Sequence, residues 1–84
     1  MQEKELGKIT HYFGHVGVAI IALSDTLKVG EKIHIKGHTS DLMEDVASMQ
    51  VEHKNVSEGK SGEQVGVKVS GKVHQGDLVY KMVA

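Results

Sequence analysis

The chain has 84 residues with no cysteine and no proline, so we expect one domain, residues 1–84, without disulfides or a cysteine-ligated zinc ion. Its ten basic residues are all lysines and are outnumbered by eleven acidic ones, and the formal net charge of −1 disfavours strong autonomous binding of nucleic acid. No apolar run reaches the roughly 18 residues of a membrane span and the N-terminus lacks a signal-peptide core, so we expect a cytoplasmic protein with no membrane partner.

Short runs rich in valine and isoleucine alternate with glycines, a pattern typical of strands joined by turns. In chain order the predicted strands are Gly7–Phe13, Val16–Leu23, Lys32–Lys36, Val46–His53, Glu63–Ser70 and Leu78–Val83. Closing a small sheet removes its two unpaired edges. The sequence therefore predicts an all-β fold, a single small closed β-barrel of six to seven mainly antiparallel strands.

The alternation of residue types also predicts which side chains share a face. In the first strand, Ile9, His11 and Phe13 are expected on one face. The second strand is apolar on both faces, which indicates a central strand covered on both sides. The two longest loops are predicted at Gly37–Asp45 and Lys54–Gly62.

Motifs for enzymatic chemistry are incomplete in this chain. Gly59-Lys60-Ser61 looks like the end of a phosphate-binding loop, but Lys54 stands where that loop needs its first glycine. No serine lies in a Gly-x-Ser-x-Gly elbow, which would present a nucleophile. We therefore expect no enzyme, no catalytic residue and no cofactor.

Six histidines are numerous for a chain of this length. A zinc site without cysteine needs three or four converging histidine or carboxylate ligands. The nearest pair, His34 and His38, is separated by the end of a strand and a glycine turn, and no recognised ligand spacing is present. Scattered surface histidines are the simpler interpretation, so no metal site is predicted, and a histidine-based metal protein is the weakest hypothesis.

Four segments in order resemble a known family. Leu27–Glu31 reads LKVGE, Val46–His53 reads VASMQVEH, Gly59–Gly66 reads GKSGEQVG, and Gln75–Val79 reads QGDLV. With the strands between them they resemble domain 2, the β-barrel of translation elongation factors of the EF-Tu family. Related barrels also occur as add-on modules at the ends of some peptidase-like proteins.

The resemblance to EF-Tu domain 2 implies a binding function. In that family the barrel receives the aminoacylated 3′ end of tRNA and packs against a GTPase domain. It therefore implies a non-enzymatic module, without a GTPase site of its own, that binds RNA, tRNA or a translation-associated protein. The candidate contacts are Lys32, His34, Lys36, Lys54, Lys60 and Lys68.

The alternative is a protein-interaction or assembly module unrelated to translation. Such a module would pair through a strand edge or through the apolar run Val18–Leu23, forming a weak homodimer.

Overall fold

Alternating β-branched and polar residues produce the strands, because a branched side chain packs well on a pleated, half-buried surface. The computed structural model describes residues 2–83. Its strands are β1 (Gln2–Phe13), β2 (Val18–Leu23), β3 (Leu27–Lys28), β4 (Lys32–Lys36), β5 (Asp41–Asp45), β6 (Met49–Val51), β7 (Lys54–Val56), β8 (Glu58–Gly59), β9 (Gln64–Lys68) and β10 (Leu78–Val83). Within 2–83 there is no helix of the length and apolarity needed to cross a membrane.

Eight strands form one antiparallel sheet in the order β5-β4-β10-β1-β2-β9-β6-β7, and β3 and β8 form a separate two-stranded ribbon. The all-β prediction is confirmed. The predicted closure is not found, because β5 and β7 are the two ends of an open sheet over the described part of the chain. The long strand β1 lies between β10 and β2 and joins the two halves of the sheet.

Backbone hydrogen bonds extend two of the strand pairings beyond the bounds of their strands. The amide of Gly30 donates to the carbonyl of Val46 at 2.8 Å, and the amide of Val46 donates to Glu31 at 2.9 Å. The amide of Val29 donates to the carbonyl of Ser57, also at 2.9 Å. The first two bonds continue the pairing of β4 with β5, and the third continues the pairing of β3 with β8.

One face of the sheet carries the core. Every second residue of β2 points into it, and β4 and β9 contribute in the same way, as the two-residue period of a strand requires. The largest fully buried side chains are Leu6, Ile9, Ile21, Leu27, Ile33, Ile35, Met49, Val46, Val65, Val67, Val73 and Val79. The core is thus almost entirely aliphatic.

The prediction that Ile9, His11 and Phe13 share a face is wrong. A β-bulge shifts the pairing of β1 with β2 between Ile9 and His11. The extra residue reverses the alternation, so Ile9 is buried, Tyr12 packs against the core, and His11 and Phe13 point outward.

The two predicted long loops are also wrong, since they contain three strands. Residues 41–45 form β5, in which Leu42 packs against the core while its charged neighbours hide the apolar alternation. Residues 54–59 form β7 and β8. The predicted strand Val46–His53 is correspondingly shorter, because only Met49–Val51 is paired and a tight turn follows it.

Candidate functional site: an apolar groove on the outer face of the sheet

The three basic residues predicted on β4 lie on one face, but each contacts a carboxylate. The Nζ atom of Lys32 is 3.7 Å from Asp45 Oδ1. Lys36 Nζ is 3.2 Å from Glu3 Oε1 and 5.5 Å from the ring centroid of Tyr80. Because these charges are paired within the fold, this face does not present a free basic patch.

His34 lies between two carboxylates from different strands. Its Nδ1 is 2.5 Å from Glu3 Oε2 on β1, and its Nε2 contacts the Asp41 carboxylate on β5. Hydrogen bonds to Asp41 and then to Glu3 raise the pKa of His34. The same bonds lower the pKa of both carboxyl groups. The charged imidazolium therefore links the edge strand β5 to β1.

The stability of the domain should depend on pH through His34. A histidine whose pKa is raised on folding stabilises the fold fully below its unfolded pKa of 6.5, and the contribution disappears as the pH rises through the folded pKa. The carboxylate partners must also be ionised, so the contribution is greatest between their ordinary pKa, 4.5 for Glu3, and 6.5. Urea unfolding at a series of pH values should show that the free energy of unfolding of wild type exceeds that of His34→Gln within this range. The difference should decrease at higher pH.

The matched control is Lys32→Gln on the same strand, which removes an exposed ion pair that contains no histidine. Its stability difference from wild type should stay constant across the same range. A parallel pH dependence in wild type and His34→Gln would contradict the assigned role of the imidazolium.

The three remaining predicted contacts lie in other elements. Lys54 begins β7, Lys68 ends β9, and Lys60 lies in the turn between β8 and β9, where its amide donates to Glu63 Oε1 at 2.7 Å. The structure therefore brings Lys32, His34 and Lys36 together and leaves the other three on separate elements.

Ser40, His74 and Asp77 form a cluster that the sequence did not predict. Ser40 Oγ is 3.1 Å from His74 Nδ1, and Asp77 Oδ2 is 3.8 Å from the same nitrogen. A hydrolytic triad needs serine and aspartate on opposite ring nitrogens. Ser40 is also only 6% exposed. The cluster is therefore suited to holding the β4–β5 turn against residues 74–77, not to relaying a proton. Across residues 2–83, no three histidine or acidic side chains are grouped to hold a metal ion.

The outer face of the central strand β2 carries apolar side chains that are only partly buried. β2 is central, as predicted, between β1 and β9. The prediction that it is covered on both sides is wrong, because Ala19, Ile21 and Leu23 are buried whereas Val18 and Ile20 on the other face are only half-buried. Apolar side chains of a central strand that remain partly in water are candidates for contact with a ligand.

These side chains form the floor of a groove of about 300 Å³, called the outer groove below. Gly66 on β9 completes the floor, where a side chain would otherwise stand over Val18 and Ile20. A Cβ atom built there would lie 3.4 Å from both the Ile20 and the Val18 side chains. The lining residues are Phe13, Val16, Val18, Ile20, Gln50, Glu52, His53, Gln64 and Gly66.

The tip of the β1–β2 hairpin forms one wall of the outer groove. Phe13 is 49% exposed and Val16 is 60% exposed, although both are large apolar residues. The Phe13 ring stacks on His11 with 5.8 Å between centroids, and the amides of Val16 and Gly17 donate to the Phe13 carbonyl. The wall is therefore an ordered apolar surface.

The opposite rim is polar and includes the two-residue turn between β6 and β7. Val51 pairs with Lys54, so Glu52 and His53 alone make the turn, with φ angles of 51° and 65°. Positive φ at both central residues is the type I′ arrangement that normally selects Asn-Gly. Two residues with side chains are therefore held in a strained conformation at the rim.

Two glutamine amides complete this rim. Gln50 Nε2 donates to Asn55 Oδ1 at 3.2 Å, and Thr10 Oγ1 is 3.3 Å from Gln64 Oε1. Each bond engages one end of an amide, so the other end can contact a ligand. The rim can therefore exchange hydrogen bonds with a polar backbone above an apolar floor.

The sequence predicted the apolar run Val18–Leu23 both as a covered strand and, in the alternative function, as a contact surface of a weak homodimer. It did not predict the groove that this run forms with β9 and the β6–β7 turn. Glu52 and His53 gave no signal, because neither residue type is typical of a type I′ turn.

Comparison with known proteins gives one close relative in sequence. The chain is 44% identical over 77 residues to "Uncharacterized protease MJ0090" of Methanocaldococcus jannaschii, and the match covers 90% of this chain but only 19% of that protein. The chain thus spans about a fifth of the length of this curated relative. No protein-family model matches the chain.

Solved structures show the same fold in the C-terminal domain of a Geobacillus thermoleovorans protein described as a U32 peptidase. One structure superposes with a TM-score of 0.86 at 14% identity, covering 93% of this chain and 91% of that one. Its selenomethionine variant gives 0.85 at 13% identity, covering 90% and 96%. At this identity the likeness concerns the fold.

The resemblance to EF-Tu domain 2 is therefore wrong, and so is the translation-factor-like function drawn from it. The relative in sequence is named an uncharacterized protease, and the structures with the same fold are the C-terminal domain of a protein described as a U32 peptidase. The motif glycines Gly30, Gly62 and Gly76 all have positive φ, between 92° and 98°. They mark tight turns before strands, which unrelated small β-folds share.

Proposed function

We propose that this chain is a non-catalytic polypeptide-binding domain of a protease-type protein. The observation that carries the proposal is the outer groove, an apolar floor on a central strand with a polar rim. The naming of its 44%-identical relative as a protease, in which the matched part is 19% of the length, supports a role beside a larger protease chain.

The outer groove suits an extended polypeptide. Its volume of about 300 Å³ is at the small end of ligand sites, enough for an apolar side chain and part of its backbone. The free ends of the Gln50 and Gln64 amides can bond to peptide groups, while Val18 and Ile20 exclude water beneath. A domain that holds a polypeptide next to a protease raises its local concentration there.

A catalytic role for the outer groove has no support in its chemistry. Among the described lining residues, Glu52 and His53 are the only candidate acids or bases, and none is a serine, threonine, cysteine or lysine that could act as a nucleophile. Binding without bond cleavage is the function that this composition supports.

The test is a systematic array of short synthetic peptides in which two positions, adjacent or separated by one residue, take every pair of residues between glycine and serine flanks. The labelled 84-residue chain should bind peptides with a large aliphatic or aromatic residue. Titration of the best peptide should shift the amide resonances of β2, β9 and the β6–β7 turn.

Gly66→Val is the matched variant, because valine suits a strand and its side chain would occupy the groove floor without meeting backbone closely. It should fold as wild type does and lose the peptide signal. Binding that Gly66→Val leaves intact, or self-association that buries the same resonances, would overturn the proposal.

A further inference from the structure

The charge of the outer groove points to the kind of polypeptide it accepts. Of the residues lining it in the described chain, Glu52 supplies the one carboxylate, and no lysine is present. Apart from His53, Glu52 is the one ionisable side chain among these residues, and it lies beside an apolar floor. A carboxylate at the edge of such a floor favours a cationic group on the ligand.

The backbone holds Glu52 at this position at a cost in stability. A residue with a side chain is strained at positive φ, and the β6–β7 turn has two such residues in succession. Strain of this kind is concentrated at functional sites. Asparagine and glycine would make the same turn with less strain, so the needs of the turn do not by themselves account for Glu52 and His53.

The distance between the apolar floor and the rim of the groove determines how far apart the two recognised side chains lie along the peptide. Alternate side chains of an extended peptide lie roughly 7 Å apart on the same side, and neighbouring ones point to opposite sides. A side chain packed on Val18, Ile20 and Gly66 therefore leaves the next residue, or the next but one, within reach of the rim.

We propose, on the basis of the proposed function above, that Glu52 selects polypeptide segments in which an apolar side chain is accompanied, one or two residues away, by lysine or arginine. Glu52 is then the specificity-determining residue of the outer groove. The apolar floor supplies the affinity, and the carboxylate discriminates between segments of opposite charge.

The expected difference in affinity between basic and neutral peptides is modest, because the ion pair between Glu52 and the peptide is exposed to solvent. A solvent-exposed ion pair contributes a factor of about two to five in affinity at moderate salt. On the peptide array, apolar residues paired with lysine or arginine should bind more tightly by that factor than the same residues paired with glutamine. Pairs with aspartate or glutamate should bind more weakly than either, and the differences should shrink at high salt.

Glu52→Gln tests the role of the carboxylate, because glutamine keeps the size of the side chain and removes its charge. This variant should bind apolar peptides but rank lysine, glutamine and glutamate partners equally. The matched control is Lys68→Gln, on the same face of β9 two residues from Gly66 and outside the groove lining. Lys68→Gln should preserve the preference for basic partners.

The outcomes separate this inference from the proposed function. Apolar peptides that bind wild type and not Gly66→Val, with no preference for a basic partner, would overturn the selectivity of Glu52 and leave the proposed function standing. A preference that persists in Glu52→Gln would do the same. Absence of any binding that depends on Gly66 would overturn both.

Discussion

Gly7→Ala is expected to destabilise the domain by about 3 kcal/mol or more, because the added methyl group would strike the backbone of the neighbouring strand. A Cβ atom built on Gly7 would lie 2.1 Å from the carbonyl oxygen of Ala22 and 3.0 Å from its carbonyl carbon. Gly7 pairs with Leu23 on one side and Val79 on the other, so β1 cannot move away from β2 without breaking its pairing with β10.

The size of this effect follows from the position of β1 in the sheet. A domain of this length has a total stability of only about 4–13 kcal/mol. β1 joins the half containing β10, β4 and β5 to the half containing β2, β9, β6 and β7. A defect at its centre therefore affects both halves, and we expect Gly7→Ala to be partly unfolded at 37 °C.

Urea unfolding followed by circular dichroism would measure the loss, with Gly66→Ala as the matched control. Gly66 also lies within a strand, but its Cβ would meet two side-chain atoms at 3.4 Å and the Gln50 carbonyl oxygen at 3.9 Å, which are ordinary contacts. Alanine there should be neutral or slightly stabilising, since glycine is a poor strand former. Equal effects of the two substitutions would show that close strand contact is not the reason for glycine at position 7.

The strands that the sequence predicted well are those whose alternation reflects burial. Lys32–Lys36 and Leu78–Val83 have the predicted bounds, and Ile33, Ile35 and Val79 are buried in them. Strand β5 was missed because Asp41, Glu44 and Asp45 give it the composition of a loop, although it pairs with β4 over five residues. A short edge strand of this kind is specified by its partner, and local sequence does not encode the partner.

The closed barrel was predicted and not found, and the outer groove was found but not predicted. Both errors have the same physical reason. Both depend on which elements meet across the fold, whereas residue alternation reports only the two faces of one strand. Val18 and Ile20 are as apolar as Ile21, yet one set lies in a groove and the other in the core. The bulge between Ile9 and His11, which turns Phe13 outward, likewise depends on pairing with β2.

Replacing Glu52-His53 by Asn-Gly is expected to stabilise the domain by about 1–2 kcal/mol and to remove its preference for basic peptides. Asparagine and glycine adopt positive φ more readily, so the strain in the β6–β7 turn is relieved. The floor formed by Val18, Ile20 and Gly66 is unchanged, so apolar peptides should still bind. Urea unfolding and the peptide array measure the two effects separately.

Single substitutions at Glu52 and at His53 show which of the two residues causes the strain and which one causes the preference for basic peptides. His53→Gly relieves strain at φ 65° and keeps the carboxylate, so it should gain stability and retain the preference for lysine and arginine. Glu52→Asn removes the charge and should lose the preference whatever its effect on stability. If Asn-Gly destabilises the domain instead, the turn is not strained, and the stability argument for a functional role of Glu52 fails. If the Asn-Gly variant is more stable and has lost the preference for basic peptides, the native turn lowers the stability of the fold and provides selectivity for the ligand.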